Sequence, residues 1–476
     1  MRLFRKRSDL SMYSSIETSA LANLVIDLAH EDTMSALSIF KNMPCMQKHT
    51  RTATIKIGSG RDELVRTAGS DIPLNMLAIE EVFGIVASLP KLKCLSVDFA
   101  GMELPVAVLT VLFGERSSKS LNEVAFKNVH FIMDHEDDDK SRLDDALLGQ
   151  SQLTRVSCHG CSGDALSSFM MNLTNLRKLE MGRCQIGERD HHDKDIDDTP
   201  TTTAPKATST AQTNPFWKLG QSQTLTSLTL VDMINLQNND ILTFTEALSA
   251  SACPSPLQEL HLICGAGSTI IGEQCGMAIA DLFTNPRPCN IRTLTLKLGP
   301  SWTSAGSAIA RILKHHSTKS TTNCVGLSSL CLELPNNETA CQQSRMIFRS
   351  LHKNTSLKRL KIRYSLDMWL DGPLESSLQQ SMVKMLHSNH HLQSLVLQDD
   401  NGDKYSLNEE INFRLELNAS KIPLLLRQNQ CNSNSNSNNI DDQQEDYVRA
   451  IIDSKDSINV VFYALYNNPG LLLPMV

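Results

Sequence analysis

Leu176-Arg-Lys-Leu179-Glu-Met181-Gly-Arg-Cys184-Gln-Ile186 is the stretch that decides how this chain folds. It opens on an apolar residue, two variable ones, an apolar residue, one variable and a third apolar residue. In extended backbone alternate side chains share a face, so Leu179 and Met181 point the same way. Upstream the opening returns as Leu92-Leu95-Val97, Leu121-Val124-Phe126 and Leu153-Val156-Cys158. Downstream it reads Leu225-Leu228-Leu230, Leu257-Leu260-Leu262, Ile291-Leu294-Leu296, Leu327-Leu330-Leu332, Leu357-Leu360-Ile362 and Leu392-Leu395-Leu397. A weaker copy is Thr52-Ile55-Ile57. A recurring line of this kind sets the architecture, because each unit buries its apolar face only by stacking on the next.

From Leu92 to Leu176 the openings are 29, 32 and 23 residues apart, and from there 49, 32, 34, 36, 30 and 35. Units of that length hold a full helix between strands. Apolar residues recur there at helical spacing, as in Ile309, Ile312 and Leu313 or Leu378, Met382, Met385 and Leu386. Two asparagines share one setting, Leu351-x-x-Asn354-x-x-Leu357 and Leu386-x-x-Asn389-x-x-Leu392. Both are expected to end helices in the left-handed conformation that asparagine tolerates.

The Leu176 line resembles the leucine-rich repeats of the ribonuclease-inhibitor-like class. It matches L-x-x-L-x-L-x-x-N/C-x-L at every position, with Met181 and Ile186 as apolar variants. Cys184 holds the ladder position, and Cys161 holds it one unit earlier. A side chain there hydrogen-bonds turning backbone that has lost its water. Other units carry Ala100, Val129, Met233, Gly265, Gly299 and Pro335 at this place, which departs from the pattern. The resemblance spans roughly residues 50–400. It implies a right-handed α/β solenoid, a horseshoe with a parallel inner sheet, outer helices and helical caps. The resemblance says little of function; the expected function, from the long face that such an array offers, is non-catalytic recognition of a protein partner on the concave face. The tail is similar to repeat proteins of diatoms and related protists, through residues 412–418 and Phe462-Tyr463-x-Leu465.

The expected domains are an N-terminal helical cap over residues 1–49, the array over 50–400 and a C-terminal cap over 401–476. Residues 187–222, rich in Asp, His, Thr and Pro, and the Asn/Ser tract at 428–446 are expected to be disordered inserts. Asp134 to Asp139 is expected to be an acidic loop.

Charge and cysteine usage narrow the function. Net charge is −7 and aromatics are 5%, which disfavours a general nucleic-acid surface or a base-stacking platform. No apolar run approaches a membrane span. The 13 cysteines are scattered and odd in number, so a reduced compartment is expected. That points to the cytoplasm, or to the nucleus if Arg2, Arg5, Lys6 and Arg7 act as an address. A monomer with a protein partner and without nucleic acid or membrane fits these features best.

Chemistry-bearing clusters have plainer explanations. Cys158-His159-Gly160-Cys161 has zinc-like spacing but lacks a second pair, and both cysteines fall on core or ladder positions. Residues 191–198 hold His and Asp in a loop whose ordering entropy opposes metal binding. No phosphate loop, nucleophile elbow or metalloprotease helix is present. No catalytic residue, metal or cofactor is therefore expected.

The strand residues between core positions form the candidate binding face. Its densest charge is Arg359, Lys361 and Arg363, beside Tyr364, with partial neutralisation expected from Glu333 and Asp399. Leu298, Leu334 and Tyr364 are equivalent positions past three strands and are expected to form an exposed apolar edge. A ubiquitin-ligase substrate subunit needs an adapter-binding helix that residues 12–46 do not show. A regulator of a small GTPase needs an exposed catalytic Arg or Asn and an acidic tail, and neither stands out.

Overall fold

The computed structural model describes residues 23–28, 38, 40–42, 44–56, 76–114, 119–133, 136–186, 214–251, 253–263, 273–284, 289–297, 305–315, 326–334, 339–364, 372–399, 402–425, 448–454 and 457–467. Of these, the residues up to Leu257 form one compact unit and those from Gln258 onward a second.

In the first unit seven strands pair in parallel in chain order. They are β1 (Asn23–Asp27), β2 (Thr52–Lys56), β3 (Cys94–Pro105), β4 (Glu123–Ile132), β5 (Arg155–His159), β6 (Lys178–Gly182) and β7 (Ser227–Val231). Helices α1 (Pro44–His49), α2 (Met76–Ala87), α3 (Val106–Phe113), α4 (Glu136–Leu148), α5 (Ala165–Asn172) and α6 (Pro215–Gln221) connect them, and α7 (Asn238–Ala250) follows. The register aligns the repeated apolar residues into buried rows. One row is Leu24, Ala53, Leu95, Val124, Val156, Leu179 and Leu228, and the next is Ile26, Ile55, Val97, Phe126, Cys158, Met181 and Leu230. Helices close over these rows. Phe169 on α5 has its ring 5.9 Å from Phe113, 5.6 Å from Phe126 and 6.1 Å from Phe131, centroid to centroid.

Strands β3 to β7 each start on one shared acceptor. The amides of Arg177 and Lys178 both donate to the Thr154 carbonyl, at 2.8 and 3.0 Å, and those of Thr226 and Ser227 both donate to Arg177 at the same distances. After the strand the chain turns through left-handed backbone at Asn128, Gly160, Arg183 and Asp232, two residues past the third apolar position. Asn, Gly and Asp tolerate that conformation, and Arg183 is the exception.

Four expectations change here. The weak opening frame is Thr50-Ala53-Ile55, not Thr52-Ile55-Ile57, since Ala53 and Ile55 align with Leu95 and Val97. A two-residue slip keeps side chains on the same face, so alternation alone did not reveal it. Asn23–Asp27, expected in a helical cap, is a strand paired with β2. Its line, Leu21-x-x-Leu24-x-Ile26, is one more copy of the opening. The expected insert at 187–222 ends in a helix, because Asn214 caps it by accepting the Phe216 amide at 2.8 Å and Phe216 and Leu219 are buried. The rest of that segment, 187–213, lies outside the described residues. Finally, residues 136–139 are no loop but the first turn of α4, which Leu143 and Leu147 anchor in the core, and Asp134 lies outside the described residues.

In the second unit β8 (Glu259–Ile263), β9 (Thr293–Lys297), β10 (Ser329–Glu333), β11 (Arg359–Arg363) and β12 (Ser394–Gln398) pair in parallel in chain order. Helices α8 (Glu273–Thr284), α9 (Ala305–His315), α10 (Thr339–Leu351) and α11 (Gly372–Ser388) alternate with them. Leu260, Leu294, Leu330, Leu360 and Leu395 make one buried row, and Leu262, Leu296, Leu332, Ile362 and Leu397 the next. Past β12, Tyr405 donates its amide to the Leu397 carbonyl at 3.0 Å and so occupies the strand edge. Helices α12 (Glu409–Ala419) and α13 (Ile458–Asn467) then pack through Leu417, Val460 and Ala464. The second expected insert, 428–446, lies outside the described residues.

Asn354 and Asn389 do not take left-handed backbone. Their side chains are buried and bridge units instead. Asn389 Nδ2 donates to the carbonyls of Leu351 at 2.6 Å and Asn354 at 3.1 Å, while its Oδ1 accepts the amides of His391 and Leu392, both at 2.9 Å. Asn354 repeats this with Leu313, and Asn418 continues it with Asn389 and Leu392. A buried asparagine that satisfies four backbone groups at once leaves no reason for the left-handed turn.

Candidate partner-binding site

The open face of the second unit is built by short strands whose buried leucines leave alternate positions exposed. Arg359, Lys361 and Arg363 line this face of β11, and exposed Lys358 precedes them. In register, Arg359 lies between Ser329 and Ser394, Lys361 between Cys331 and Val396, and Arg363 between Glu333 and Gln398. Nearby β9 adds Arg292 and Lys297, while the carboxylates on this face are Glu259 and Glu333.

Glu333 neutralises part of the cluster. Its carboxylate lies 2.5 Å from Lys297 Nζ on one side and 3.6 Å from Arg363 Nη1 on the other, with its side chain 17% exposed. Asp399 does not contribute in the expected way: it is buried and accepts the Asp403 amide at 2.7 Å. Lys358, Arg359 and Lys361 have no ion pair among the described residues. The sequence reading missed Lys358 and Arg292 because it considered only residues alternating with the core. The second residue of an L-x-x-L opening also reaches solvent, fully enough at Gln258, Arg292 and Lys358 to count as exposed, and that was the available signal.

The apolar edge is not there. Leu334 and Tyr364 are buried, at 4% and 1% exposure, and Leu298 lies outside the described residues. The strand hydrogen bonding continues past β10 and β11, with Leu334 donating to Arg363 and Tyr364 to Gln398, which turns both side chains inward. The Tyr364 hydroxyl is bonded to Ser344 Oγ at 2.8 Å.

The first unit presents a different face, where charges meet across strands. Arg155 lies 3.4 Å from Glu123, and His159 Nε2 lies 3.2 Å from Glu180. His159 thus faces a carboxylate on the neighbouring strand. Cys184 Sγ donates to the carbonyls of Cys158 at 3.2 Å and Gly182 at 3.3 Å. The hydrogen bond to Cys158, joined by burial, pushes the Cys161 thiol up to about 12. The Cys184 thiol is pushed up further, first by its bond with Cys161 and then by burial. Both thiols are buried and packed at turns. Among the described residues no group of His, Cys, Asp or Glu is arranged to hold a metal ion, and no helix is long and apolar enough to cross a membrane. The His and Asp residues at 191–198 lie outside the described residues.

With one strand and one helix per repeat and the leucine rows in register, the described residues form an α/β leucine-rich-repeat fold. No family model matches the chain. No curated protein matches it either. Among solved structures it is similar to a protein from Bacteroides fragilis, with 11% identity over 64% of this chain and 72% of that one and a TM-score of 0.36. It is also similar to the leucine-rich repeat-containing protein LegL7 from Legionella pneumophila, with 13% identity over 70% and 92% and a TM-score of 0.34. Actin-binding site 2 of leiomodin-1 matches at 17% identity over 48% and 99%, with a TM-score of 0.24.

Proposed function

We propose that this chain is a non-catalytic recognition scaffold that binds an acidic protein partner through the open strand face of its second unit. One observation carries the reading. Arg359 and Lys361 on β11, and Lys358 just before it, have no ion pair among the described residues, and Arg359 and Lys361 are bordered by short neutral side chains rather than carboxylates. A structural network would pair such charges, as Arg155 and Glu123 do in the first unit. Arg359 offers a fork to a carboxylate, and the fixed strand lowers the cost of ordering it. Tyr364 and Leu334 leave the proposed contact set because they are buried, and Arg363 stays as a partly neutralised member.

The test compares capture by the wild-type chain with capture by the double reversal Arg359→Glu, Lys361→Glu, using extract from the source organism. Loss of a partner by about 1–3 kcal/mol in affinity, with the fold intact by circular dichroism, is the expected result. Retention of every partner by the folded double mutant overturns the site.

A further inference from the structure

The cations on β11 have a period as well as a sign. Arg359, Lys361 and Arg363 alternate with Leu360 and Ile362, which are buried at 1% and 0% exposure. Alternate residues of a strand stand about 6.6–6.8 Å apart. An extended peptide repeats its own side chains at the same interval, so the two are commensurate over three contacts. A helix is a poorer match. Its same-face carboxylates are three or four residues apart, a step of about 4.5–6 Å, and a third charge falls short by up to about 4 Å. A contiguous acidic run fails differently: in an extended chain every second carboxylate points away.

The neighbours determine which contacts count. Beside Arg359 and Lys361 stand Ser329, Ser394, Cys331 and Val396, so no fixed carboxylate competes there. At Arg363 a ligand carboxylate competes with Glu333, which also holds Lys297.

We infer that β11 takes an extended acidic peptide laid along the strand, with carboxylates on alternate residues facing Arg359, Lys361 and Arg363. This rests on the reading of the second unit as the partner site and narrows it to a ligand of fixed conformation and spacing. The first two contacts carry most of the affinity, and the third is attenuated by Glu333.

The experiment uses the full chain and fluorescent peptides in one serine–glycine host, at equal charge. Asp-Ser-Asp-Ser-Asp should bind about fivefold or more tighter than Asp-Asp-Asp-Ser-Ser, the factor expected for one aligned charged contact. A charge swap then fixes the register. Lys361→Glu should weaken the alternating peptide about tenfold. Asp-Ser-Lys-Ser-Asp should restore binding to that variant and not to wild type. Lys361 is partly exposed and unpaired, so the swap leaves the fold intact, which a melting curve checks. Equal affinity for the alternating and contiguous peptides, or failure of the swapped peptide to restore binding, overturns the register while the basic surface stands. Displacement of the alternating peptide by an equal concentration of tripolyphosphate also overturns it, because that ion has no peptide spacing. If neither acidic peptide binds, the partner reading itself falls.

Discussion

In the first unit, Cys161 and Cys184 tie successive repeats just after the strand; in the second, Asn354 and Asn389 tie them just before it, and Asn418 near the end of α12 continues the tie. The first tie uses buried thiols and short bridges running from His130 through Ser162 and Gln185 to Ile234. The second uses amide side chains, each reaching back to a carbonyl of the preceding repeat. The task is the same at both places: to satisfy backbone groups that stacking has removed from water. An amide does it with two donors and an acceptor, whereas a thiol is a weak donor. The two devices should therefore differ in energy.

The largest effect is expected at Asn389. Asn389→Ala removes the side-chain partner of the Asn354 carbonyl and of the His391 and Leu392 amides, and one of the two donors to the Leu351 carbonyl, and should cost about 4 kcal/mol in urea unfolding. A loss below about 1 kcal/mol would mean that water replaces the amide and that the ladder is incidental. Leu330→Ala and Leu260→Ala should each cost about 3 kcal/mol, since both occupy fully buried rows. Ser329→Ala and Glu259→Ala, on the open face, should cost under about 0.5 kcal/mol. Equal losses for neighbours would contradict the inward and outward alternation.

The cysteine tie should be weaker and should depend on pH. Cys184→Ala is expected to cost about 1 kcal/mol. In the folded chain the Cys161 thiol is pushed up to about 12, whereas the unfolded thiol ionises near the ordinary 9.0. Above that value the unfolded state has released a proton that the folded state retains, so stability falls as pH rises from about 9 toward 12. Below it both states are protonated and the two thiols contribute no pH dependence. Urea midpoints at pH 8 and pH 10 should therefore differ less in a Cys161→Ala, Cys184→Ala double variant than in the wild type. The same shift protects the thiols: alkylation at pH 8 should reach exposed Cys253 before Cys161 and Cys184, which should react only on unfolding.

How much of this was readable beforehand follows from where the physics is local. The leucine rows were legible because strand alternation depends only on sequence spacing, and the openings from Leu92 to Leu392 that have a described strand all fall on one. Strand β1 was not, because Leu24 and Ile26 lie among other apolar residues that also fit a helix, and short apolar runs do not discriminate. Asn354 and Asn389 were found by their spacing but given the wrong job. Their partners lie 41 and 38 residues away in Leu313 and Leu351, which local propensity does not see. The charged strand of the site was legible, and so was its neutralisation by Glu333. The inward turn of Tyr364 was not, because it depends on Ser344, which lies on a separate helix.

The smallest effects should separate the two strand faces. Glu123 and Arg155 are a half-exposed pair at 3.4 Å, and such pairs contribute little. Glu123→Gln should therefore change stability by less than about 0.5 kcal/mol and leave partner binding untouched. Glu333→Gln is the informative counterpart. It frees Lys297 and Arg363, whose distances to Glu333 are 2.5 and 3.6 Å, at a similarly small cost in stability. If the second face receives carboxylates, removing its fixed competitor should strengthen binding of an acidic peptide by about two- to fivefold, a gain of about 0.4–1 kcal/mol. Salt should erode that gain, since added ions screen exposed charges within about 8–10 Å. Unchanged affinity in Glu333→Gln, measured at low salt beside Glu123→Gln, would show that both faces are solvated charge patterns and that the difference between them has no bearing on recognition.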